Sequence, residues 1–360
     1  MAATHFFAGA NSGEGFRNLF SEIVDIEDVF DFMILKGGPG IGKSTLMKEL
    51  GRTMEEAGVR VEYLHCSGDP ASLDGVVFPE LGCAAADGTS PHVLEPRYPA
   101  AVERYLDLGR FYDLIAAKAC AAEVKAYTVE YKAAYARAYQ AMKAARTVEI
   151  SAASGVQFDR ERAERRFRGI ALRELRRRGA QRGRSVRRFL GSLTCQGYVW
   201  RFDSVEALCP RVYELRDAFG FTAPMLEGLR REAVSRNWDT ICCMSPEAPE
   251  NIEHLLIPGL GLGFVTTRAG MEYGGTPFRR VRVDALAAVR DRGAFRLETR
   301  MVSELRREAA SALRDAKAAH DKLEAVYHPY ADFEGVSGVA ALEAGRLLDR
   351  LRTVRGRRRL

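Results

Sequence analysis

The sequence predicts an α/β protein made of two tandem units, each a doubly wound parallel sheet that carries a long helical hairpin. Over residues 32–50, an apolar stretch, a glycine-rich loop and an amphipathic stretch follow one another, as a strand, a turn and a helix would. The second half of the chain repeats the first at offsets of 179 to 182 residues. Two further segments, 101–183 and 286–360, are rich in helix-forming residues. Strands that alternate with helices are typical of a parallel sheet.

The glycine-rich loop predicts a phosphate-binding site. Residues 37–44 match the P-loop pattern G-x-x-x-x-G-K-[ST] at every position. Its glycines let backbone N–H groups face phosphate oxygens, and the positive end of the following helix dipole adds to the attraction. The alternative is a plain glycine-rich turn before a helix. The pattern predicts nucleotide contacts from Gly37, Gly38, Pro39, Gly40, Ile41, Gly42, Lys43, Ser44 and Thr45.

Lys43 and Asp87 are the predicted catalytic residues. Lys43 would reach the β- and γ-phosphates, and the Ser44 hydroxyl would ligate Mg²⁺. Asp87 ends the apolar run 83–87 as a Walker B aspartate does, so it is the first choice for the carboxylate of the Mg²⁺ shell. Asp69, which follows an earlier predicted strand, is the second choice. Either aspartate can instead form an Asx turn in its loop.

The predicted cofactors are ATP and Mg²⁺. The chain has no Asn/Thr-Lys-x-Asp motif for guanine, which leaves adenine as the default base. Many ATP-driven motors carry a glutamate directly after the Walker B aspartate to orient water, whereas this chain has Gly88. Glu80 and His92 are candidate substitutes. Each also has a structural explanation, because Glu80 follows a proline in a turn and His92 lies in a proline-containing loop.

The second copy of the loop has lost the residues that the chemistry needs. The two halves align through positions such as Gly40 with Gly220 and Leu46 with Leu226. In this alignment Gly37 is replaced by Asp217, Gly42 by Thr222, Lys43 by Ala223, Ser44 by Pro224, Asp69 by Ala248 and Asp87 by Thr266. A carboxylate at position 217 would repel phosphate. The sequence therefore predicts one competent site in a chain built as a pseudo-dimer.

The repeat also sets the predicted domains. These are a P-loop core over 1–100, a helical hairpin over 101–183, a degenerate P-loop-like core over 184–285 and a second helical segment with a basic tail over 286–360. In the first hairpin, a helix over 118–145 would pack against a helix over 158–178. Within the first core, residues 72–81 are predicted to be short helical or irregular structure.

Tyr127, Tyr131, Tyr135 and Tyr139 recur every four residues within the first predicted hairpin. This spacing places the four rings along one face of a helix. The rings can pack inside the hairpin, or they can stack on single-stranded bases.

Composition and charge indicate a globular protein without a membrane span. The 360 residues are 47% hydrophobic and 28% charged, and no apolar run approaches the ~20 residues that cross a bilayer. The start of the chain lacks the basic and apolar regions of a signal peptide. The seven cysteines have no C-x-x-C spacing, which argues against a zinc site or a disulfide framework. A cytoplasmic protein is the expectation.

The net charge of +6 hides a strongly basic block that begins at Arg160 and ends at Arg188. It holds thirteen arginines and three glutamates, a net charge of +10. The tail adds Arg355, Arg357, Arg358 and Arg359. Such a block can bind nucleic acid or an acidic protein, or it can be the solvated face of an arginine-rich helix.

Several blocks of the first half carry a family resemblance beyond the P-loop itself. They are residues 6–11, 35–46, 65–67, 72–75, 79–81 and 87–92. Through them the chain resembles an uncharacterised family of bacterial P-loop ATPases, found mainly in Gram-positive lineages and built from tandem P-loop halves. The resemblance implies ATP binding and hydrolysis and brings no established substrate. In that family the second half often keeps a P-loop, and Thr222, Ala223 and Pro224 depart from this.

Three functional hypotheses follow. In the first, unit one is an ATPase, and unit two packs against it as a degenerate partner, with Arg268 a candidate for an arginine supplied across the pseudo-dimer. In the second, the chain is a kinase for a small molecule or a nucleotide, which the absence of a glutamate after Asp87 favours. In the third, it is a nucleotide-gated module that binds nucleic acid through the arginine block.

Overall fold

The structure, a computed structural model, describes residues 3–179 and 182–357. It contains two α/β units, unit one in the first range and unit two in the second, each with a six-stranded mixed sheet. Arg358 and Arg359 of the predicted basic tail lie outside the described residues. Within the two described ranges, no helix is both long enough and apolar enough to cross a membrane.

Unit one provides nine strands and three α-helices. The strands are β1 (Thr4–Phe7), β2 (Gly9–Ser12), β3 (Gly15–Asn18), β4 (Asp31–Lys36), β5 (Glu62–His65), β6 (Leu73–Phe78), β7 (Cys83–Asp87), β8 (Glu103–Asp107) and β9 (Val156–Phe158). The helices are α1 (Lys43–Glu56), α2 (Ala121–Ser154) and α3 (Arg160–Glu174).

Unit two provides nine more strands and four α-helices. The strands are β10 (Ser185–Arg188), β11 (Gly191–Thr194), β12 (Gly197–Trp200), β13 (Arg211–Arg216), β14 (Thr240–Met244), β15 (Ile252–Ile257), β16 (Leu262–Thr267), β17 (Arg279–Arg282) and β18 (Ala287–Val289). The helices are α4 (Phe202–Leu208), α5 (Ala223–Ser235), α6 (Arg292–Tyr327) and α7 (Phe333–Arg357). Short 3₁₀ helices lie at Phe20–Glu22, Gly109–Phe111, Ala116–Cys120, Pro258–Leu260, Asp284–Leu286 and His328–Tyr330.

The two sheets have the same strand order. It is β1-β5-β6-β7-β4-β8 in unit one and β10-β14-β15-β16-β13-β17 in unit two. The register repeats as well, since Gly75 pairs with Ala86 and, 179 residues later in each strand, His254 pairs with Val265. The predicted duplication is therefore confirmed in the topology.

One strand of each sheet contradicts the prediction of a parallel sheet. β6 runs antiparallel to β5 and β7, and β15 runs antiparallel to β14 and β16, while the remaining neighbours are parallel. The prediction of helical or irregular structure over 72–81 is wrong, because this segment contains β6. All six residues of β6 are buried, so the strand shows no alternation, and Asp74-Gly75 inside it has the composition of a turn.

The inner faces of the two sheets contribute to one shared core and do not each carry a second layer of long helices, so the prediction of doubly wound sheets is not met. Phe32 and Ile34 of β4 point into a core shared with Val212 and Val265 of unit two. Met33, between them, belongs to a separate core on the opposite face of the sheet. This shared core also contains Val205 of the short helix α4, whereas the longer helices α1, α3, α5 and α7 lie on the outer faces.

The backbone and one buried ion pair join the units at their edges. Phe7 and Phe189 exchange two backbone hydrogen bonds of 2.9 Å. The Arg188 side chain, only 5% exposed, donates from Nε to Glu62 Oε1 at 2.7 Å and from Nη2 to the carbonyl oxygen of Ile23 at 2.9 Å. The last arginine of the basic block is therefore part of the junction between the units.

The outer face of each sheet is covered in part by a helix from the other half of the chain. α7 of unit two packs on α1, and Leu347 shares a core with Leu50 of unit one. α3 of unit one packs on α5, and Phe167 shares a core with Leu229 of unit two. The two units therefore exchange these helices.

α2 and α6 lie antiparallel along each other for most of their length. The pairs Glu149–Arg306 (2.8 Å) and Glu130–Lys322 (3.4 Å) mark the two directions. A helix of 34 residues such as α2 extends for ~50 Å. The predicted hairpin over 101–183 is thus wrong in its pairing, because the partner of α2 is α6 and α3 lies on unit two. The spacing of apolar residues shows which face of a helix is buried, but it does not show which other helix covers that face.

The predicted boundary at residue 100, between the core and the helical hairpin, is also displaced. β8 (Glu103–Asp107), inside the segment predicted to be a helical hairpin, pairs with β4 and completes the sheet of unit one. β9 pairs antiparallel with β18 of unit two. The second helical segment is divided near His328 by the 3₁₀ helix between α6 and α7.

The four tyrosines of α2 are partly buried and pack near α6, not against a second helix of the predicted hairpin. The Tyr139 hydroxyl donates to Asn11 Oδ1 at 3.2 Å, and its ring lies 5.8 Å from that of Tyr135. The Tyr131 ring lies 5.8 Å from the His320 ring of α6. This placement favours the packing interpretation over base stacking.

The exchange of helices makes a prediction about local stability. Leu347→Ala is expected to lower the free energy of unfolding by about 2–5 kcal/mol, because Leu347 is 2% exposed. Urea denaturation measures this change. Leu342→Ala, on the same helix but 56% exposed, is the control and should stay within about 0.5 kcal/mol. In Leu347→Ala, amide hydrogen–deuterium exchange should become faster in α1 more than in α5. The opposite order would contradict the exchange of helices between the units.

Candidate functional site

The glycine loop connects β4 to α1 at the carboxyl end of the parallel strands of unit one. Gly40 and Gly42 have φ angles of +73° and +95°, in the left-handed region that glycine favours. A Cβ at Gly40 would also lie 3.0 Å from His328 Nε2 and 3.1 Å from Glu324 Cβ. The conformation and the close approach of α6 both require glycine at position 40.

The Lys43 ammonium lies inside this loop. Its Nζ donates to the carbonyl oxygens of Gly37 at 2.8 Å and Gly38 at 2.9 Å. It also lies 3.6 Å from Asp87 Oδ2, and the two side chains are 12% and 15% exposed. The structure therefore brings together the two residues that the sequence predicts to be catalytic.

Ser44 and Asp87 each have one oxygen engaged by the backbone. The Ser44 hydroxyl accepts from the Leu73 N–H at 2.9 Å, which ties the start of α1 to the start of β6. Asp87 Oδ1 accepts from the Thr89 N–H at 2.8 Å and from the Thr89 hydroxyl at 2.6 Å. The Asx turn considered for Asp87 is thus present, and it leaves Oδ2 facing Lys43.

Asp69 lies apart from this group. Its Oδ1 accepts from the Ala71 N–H at 3.1 Å, and its Oδ2 accepts from the Ser72 hydroxyl at 3.2 Å. Lys317 Nζ of α6 lies 3.5 Å from Oδ2. Among the described residues, Asp69 makes no polar contact with Lys43 or Ser44, so its geometry is that of an Asx turn.

Asp74 is a site residue that the sequence reasoning did not select. It is 4% exposed, and its Oδ2 has no hydrogen-bond partner among the described residues. The same oxygen lies 3.6 Å from His92 Nε2. Burial raises the pKa of Asp74 above its ordinary value, although the nearby His92 and Lys43 act in the opposite direction. An acid within an otherwise apolar run over 73–78 was the signal that could have identified it.

Of the two substitutes considered for a water-orienting glutamate, only His92 lies near the site. The His92 ring stacks on Phe20 at 4.4 Å and meets Phe16 edge-on at 5.0 Å. Glu80 lies in the turn between β6 and β7, and that turn is at the opposite end of β7 from Asp87. At about 3.3 Å per residue, the length of β7 separates them by ~13 Å.

Elements from the second half of the chain form one wall of the site. Glu324 of α6 and His328 of the following 3₁₀ helix lie against Gly40, as described above, and Val336 of α7 would lie 3.4 Å from a Cβ at Gly42. On the unit-one side, the Tyr112 hydroxyl donates to the carbonyl oxygen of Pro39 at 2.6 Å. The site is thus enclosed jointly by both halves.

The equivalent loop of unit two is closed by its own side chain. Asp217, 1% exposed, accepts from the Phe219 N–H at 3.1 Å and from the Thr222 N–H at 2.7 Å. The Thr222 hydroxyl lies 3.2 Å from that of Thr266. A carboxylate of the chain thus engages backbone N–H groups that in a P-loop would be offered to phosphate.

Arg268 is held within unit two by buried acids. Its Nη1 lies 2.8 Å from Glu253 Oε1, and its Nη2 lies 3.6 Å from Glu247 Oε2. Burial lowers the pKa of Arg268, but the two carboxylates outweigh it and raise the pKa overall. Arg306 of α6 joins the same cluster through Glu247 at 2.5 Å. The proposed role of Arg268 as an arginine supplied to the other unit therefore does not fit its contacts.

A second set of metal-ligating side chains lies on α6. The ligand atoms of His320, Asp321 and Glu324 lie within 4.8 Å of one another. Lys317 Nζ already lies 2.5 Å from Asp321 Oδ1, so a cation of the chain occupies this acidic cluster. Ser44 and Asp87, beside the glycine loop, offer only oxygen donors, which are the type that Mg²⁺ prefers.

No protein-family model, curated protein or solved structure matches this chain.

The closed loop of unit two makes a second prediction. Asp217→Ala is expected to lower the free energy of unfolding by about 1–3 kcal/mol, because it leaves two N–H groups of a buried loop without an acceptor. Thermal or urea denaturation measures the change. Arg216→Ala, at the exposed neighbouring position, is the control and should stay within about 0.5 kcal/mol. An Asp217→Ala protein as stable as the wild type would show that the carboxylate does not hold the loop.

Proposed function

We propose that unit one binds Mg-ATP at the loop from Gly37 to Thr45 and hydrolyses it, while unit two is a degenerate partner that encloses the site. The observation that carries the proposal is the Lys43 ammonium, which lies inside a glycine loop at the carboxyl end of the sheet and beside Asp87. This is the place where open α/β sheets bind ligands. Fold topology alone would not support a function.

The chemistry of the loop suits a triphosphate. Lys43 now binds two carbonyl oxygens of the loop, so its ammonium is positioned to exchange them for phosphate oxygens. The N-terminus of α1 points its free N–H groups and its positive dipole end at the same place. Ser44 and Asp87 would hold Mg²⁺, which, when bound, neutralises charge on the phosphates.

Unit two fits the role of a partner without a nucleotide site. Its loop lacks a lysine, and Asp217 occupies the N–H groups. Phosphate would have to displace a buried carboxylate and would meet its repulsion. The proposal therefore assigns one nucleotide to each chain.

Lys43→Ala tests the nucleotide site. Loss of a charge-assisted contact of about 1.5–3 kcal/mol should weaken Mg-ATP binding by about 10- to 100-fold. Isothermal titration measures the affinity and should give one site per wild-type chain. Lys48→Ala, an exposed lysine on the same helix, is the matched control and should bind as the wild type does. Unchanged affinity in Lys43→Ala, or two sites per chain, would refute the assignment.

A kinase differs from an ATPase in that it needs an acceptor for the phosphoryl group. Hydrolysis releases phosphate from Mg-ATP with no other substrate present, whereas a kinase forms ADP only when an acceptor is added. A phosphate-release assay on the same purified protein therefore decides between the two.

A specific observation also favours a second function, binding of a polyanion such as nucleic acid. On α3, Arg162, Arg166 and Arg168 are exposed and form no ion pair with any described residue. On the same helix, Arg160 pairs with Glu164 at 2.8 Å. Arg162 and Arg166, four residues apart, place two free guanidinium groups on the same side of α3, and this clustering of positive charge is what phosphate-backbone binding requires.

The free arginines can be tested against paired ones. The double variant Arg162→Ala/Arg166→Ala should weaken binding to single-stranded DNA or RNA and lower the slope of log K against log salt by about 1 to 2. The control Arg160→Ala/Arg165→Ala removes the same charge from arginines that pair with Glu164 and Glu161. Equal effects would point to net charge alone, and no binding of wild type at low salt would reject this function.

A further inference from the structure

The proposed hydrolysis needs a group that orients water and accepts its proton, and the position after Asp87 cannot supply one. A Cβ at Gly88 would collide with Cγ2 of Ile34, a buried residue of the neighbouring strand. A glutamate at position 88 is therefore excluded by packing. If the chain has such a group, it must come from another strand.

Asp74 is placed where that group is needed. Because β6 is antiparallel to β7, the start of β6 lies at the edge of the sheet where β7 ends, so Asp74 and Asp87 share that edge. The preceding residue, Leu73, donates its N–H to Ser44 at the start of α1. Asp74 also keeps one carboxylate oxygen, Oδ2, without a hydrogen bond from any described residue.

His92 lies against this carboxylate. Its Nε2 lies 3.6 Å from Asp74 Oδ2, the oxygen that has no hydrogen bond, and its ring stacks on Phe20 and meets Phe16 edge-on. The Cys66 thiol lies beside the same carboxyl group. The two aromatic contacts restrict rotation of the imidazole, so His92 limits the orientations open to the carboxylate.

The second unit provides an internal comparison. The residue of β15 that corresponds to Asp74 is Glu253, also buried, and there Arg268 pairs with the acid at 2.8 Å. Position 89 of unit one, which corresponds to Arg268, is Thr89. The buried acid is thus ion-paired by arginine in the unit without a nucleotide loop and lacks that arginine in the unit that has one. If stability alone had determined these residues, we would expect an arginine partner for the buried acid in both units, because a buried carboxylate without a partner is unfavourable.

We infer that Asp74 is the catalytic base of the hydrolysis proposed above and that His92 is its positioning residue. This inference rests on the proposed function. The oxygen of a water molecule forms a bond to the γ-phosphorus, and the bond from that phosphorus to the β–γ bridging oxygen breaks, with its electron pair leaving on ADP. The Asp74 carboxylate accepts the proton that the water loses and afterwards passes it to the phosphate product.

Asp74→Asn tests the inference, because it keeps the shape of the side chain and removes its basicity. The kcat for phosphate release should fall about 100-fold or more, while the Kd for Mg-ATP and the Mg²⁺ concentration that gives half-maximal binding stay within about threefold of wild type. The melting temperature should be unchanged or higher, since the variant removes a buried carboxylate that has no arginine partner. A retained kcat would reject the role of Asp74. A raised Mg²⁺ requirement would make it a metal ligand instead.

His92→Gln separates positioning from a merely structural effect. It should lower kcat by about tenfold with little change in KM, and it should have almost no effect when Asp74 is already Asn, because the two residues act as one unit. Additive effects would reject the positioning role. Glu253→Gln, at the equivalent site of unit two, is the matched control and should keep the wild-type kcat.

The outcomes also distinguish this inference from the proposed function. If the wild type binds no Mg-ATP, or binds it and releases no phosphate, then the proposed hydrolysis fails and Asp74 has no reaction to serve. If the wild type hydrolyses ATP and Asp74→Asn does so equally well, the proposed function stands and only the assignment of the base is rejected.

Discussion

The apolar core that the two sheets share is the constraint on which the rest of this structure depends. Phe32 and Ile34 in one sheet and Val212 and Val265 in the other are buried in this core, which removes their apolar surface from water. The long helices lie on the outer faces. The chain must then carry helices around the outside of the pair, and the antiparallel α2–α6 arrangement connects the two outer layers.

The two glycine-type loops differ in charge although they share a topology. Unit one has a lysine that lies in its loop and a carboxylate, Asp87, beside it. Unit two replaces the lysine with Ala223 and closes its loop with Asp217. Both loops are stable as they stand, since each has an internal electrostatic partner. Under the proposed function, Lys43 of unit one exchanges its partners in the loop for the phosphate oxygens of a nucleotide.

Much of this could be predicted from the sequence where the signal is local. The strand, loop and helix over 32–50 are contiguous, and Asp87 follows an apolar run, so their juxtaposition with Lys43 was predictable. The repeat was visible because apolar and glycine positions are spaced alike in both halves. Signals of this kind depend on neighbouring residues or on fixed spacing.

What could not be predicted depends on contacts between distant segments. The apolar stripe of α2 does not specify whether α3 or α6 covers it. β6 was missed because a strand buried on both faces has no alternation, and its Asp74-Gly75 pair has the composition of a turn. The environment of Asp74 could not be predicted for the same reason. Asp87 and His92 come near it only because β6 lies beside β7 in the sheet.

The exchange of α3 and α7 has a consequence for how this chain could have changed over evolutionary time. Each half covers part of the core of the other, because Leu347 belongs to the core of the first sheet and Phe167 to that of the second. Loss of chemistry in one half leaves this scaffolding intact, whereas deletion of that half would expose the core of its neighbour. A duplicated unit tied in this way can lose the residues of its loop and still be kept because the other unit needs its helices for packing.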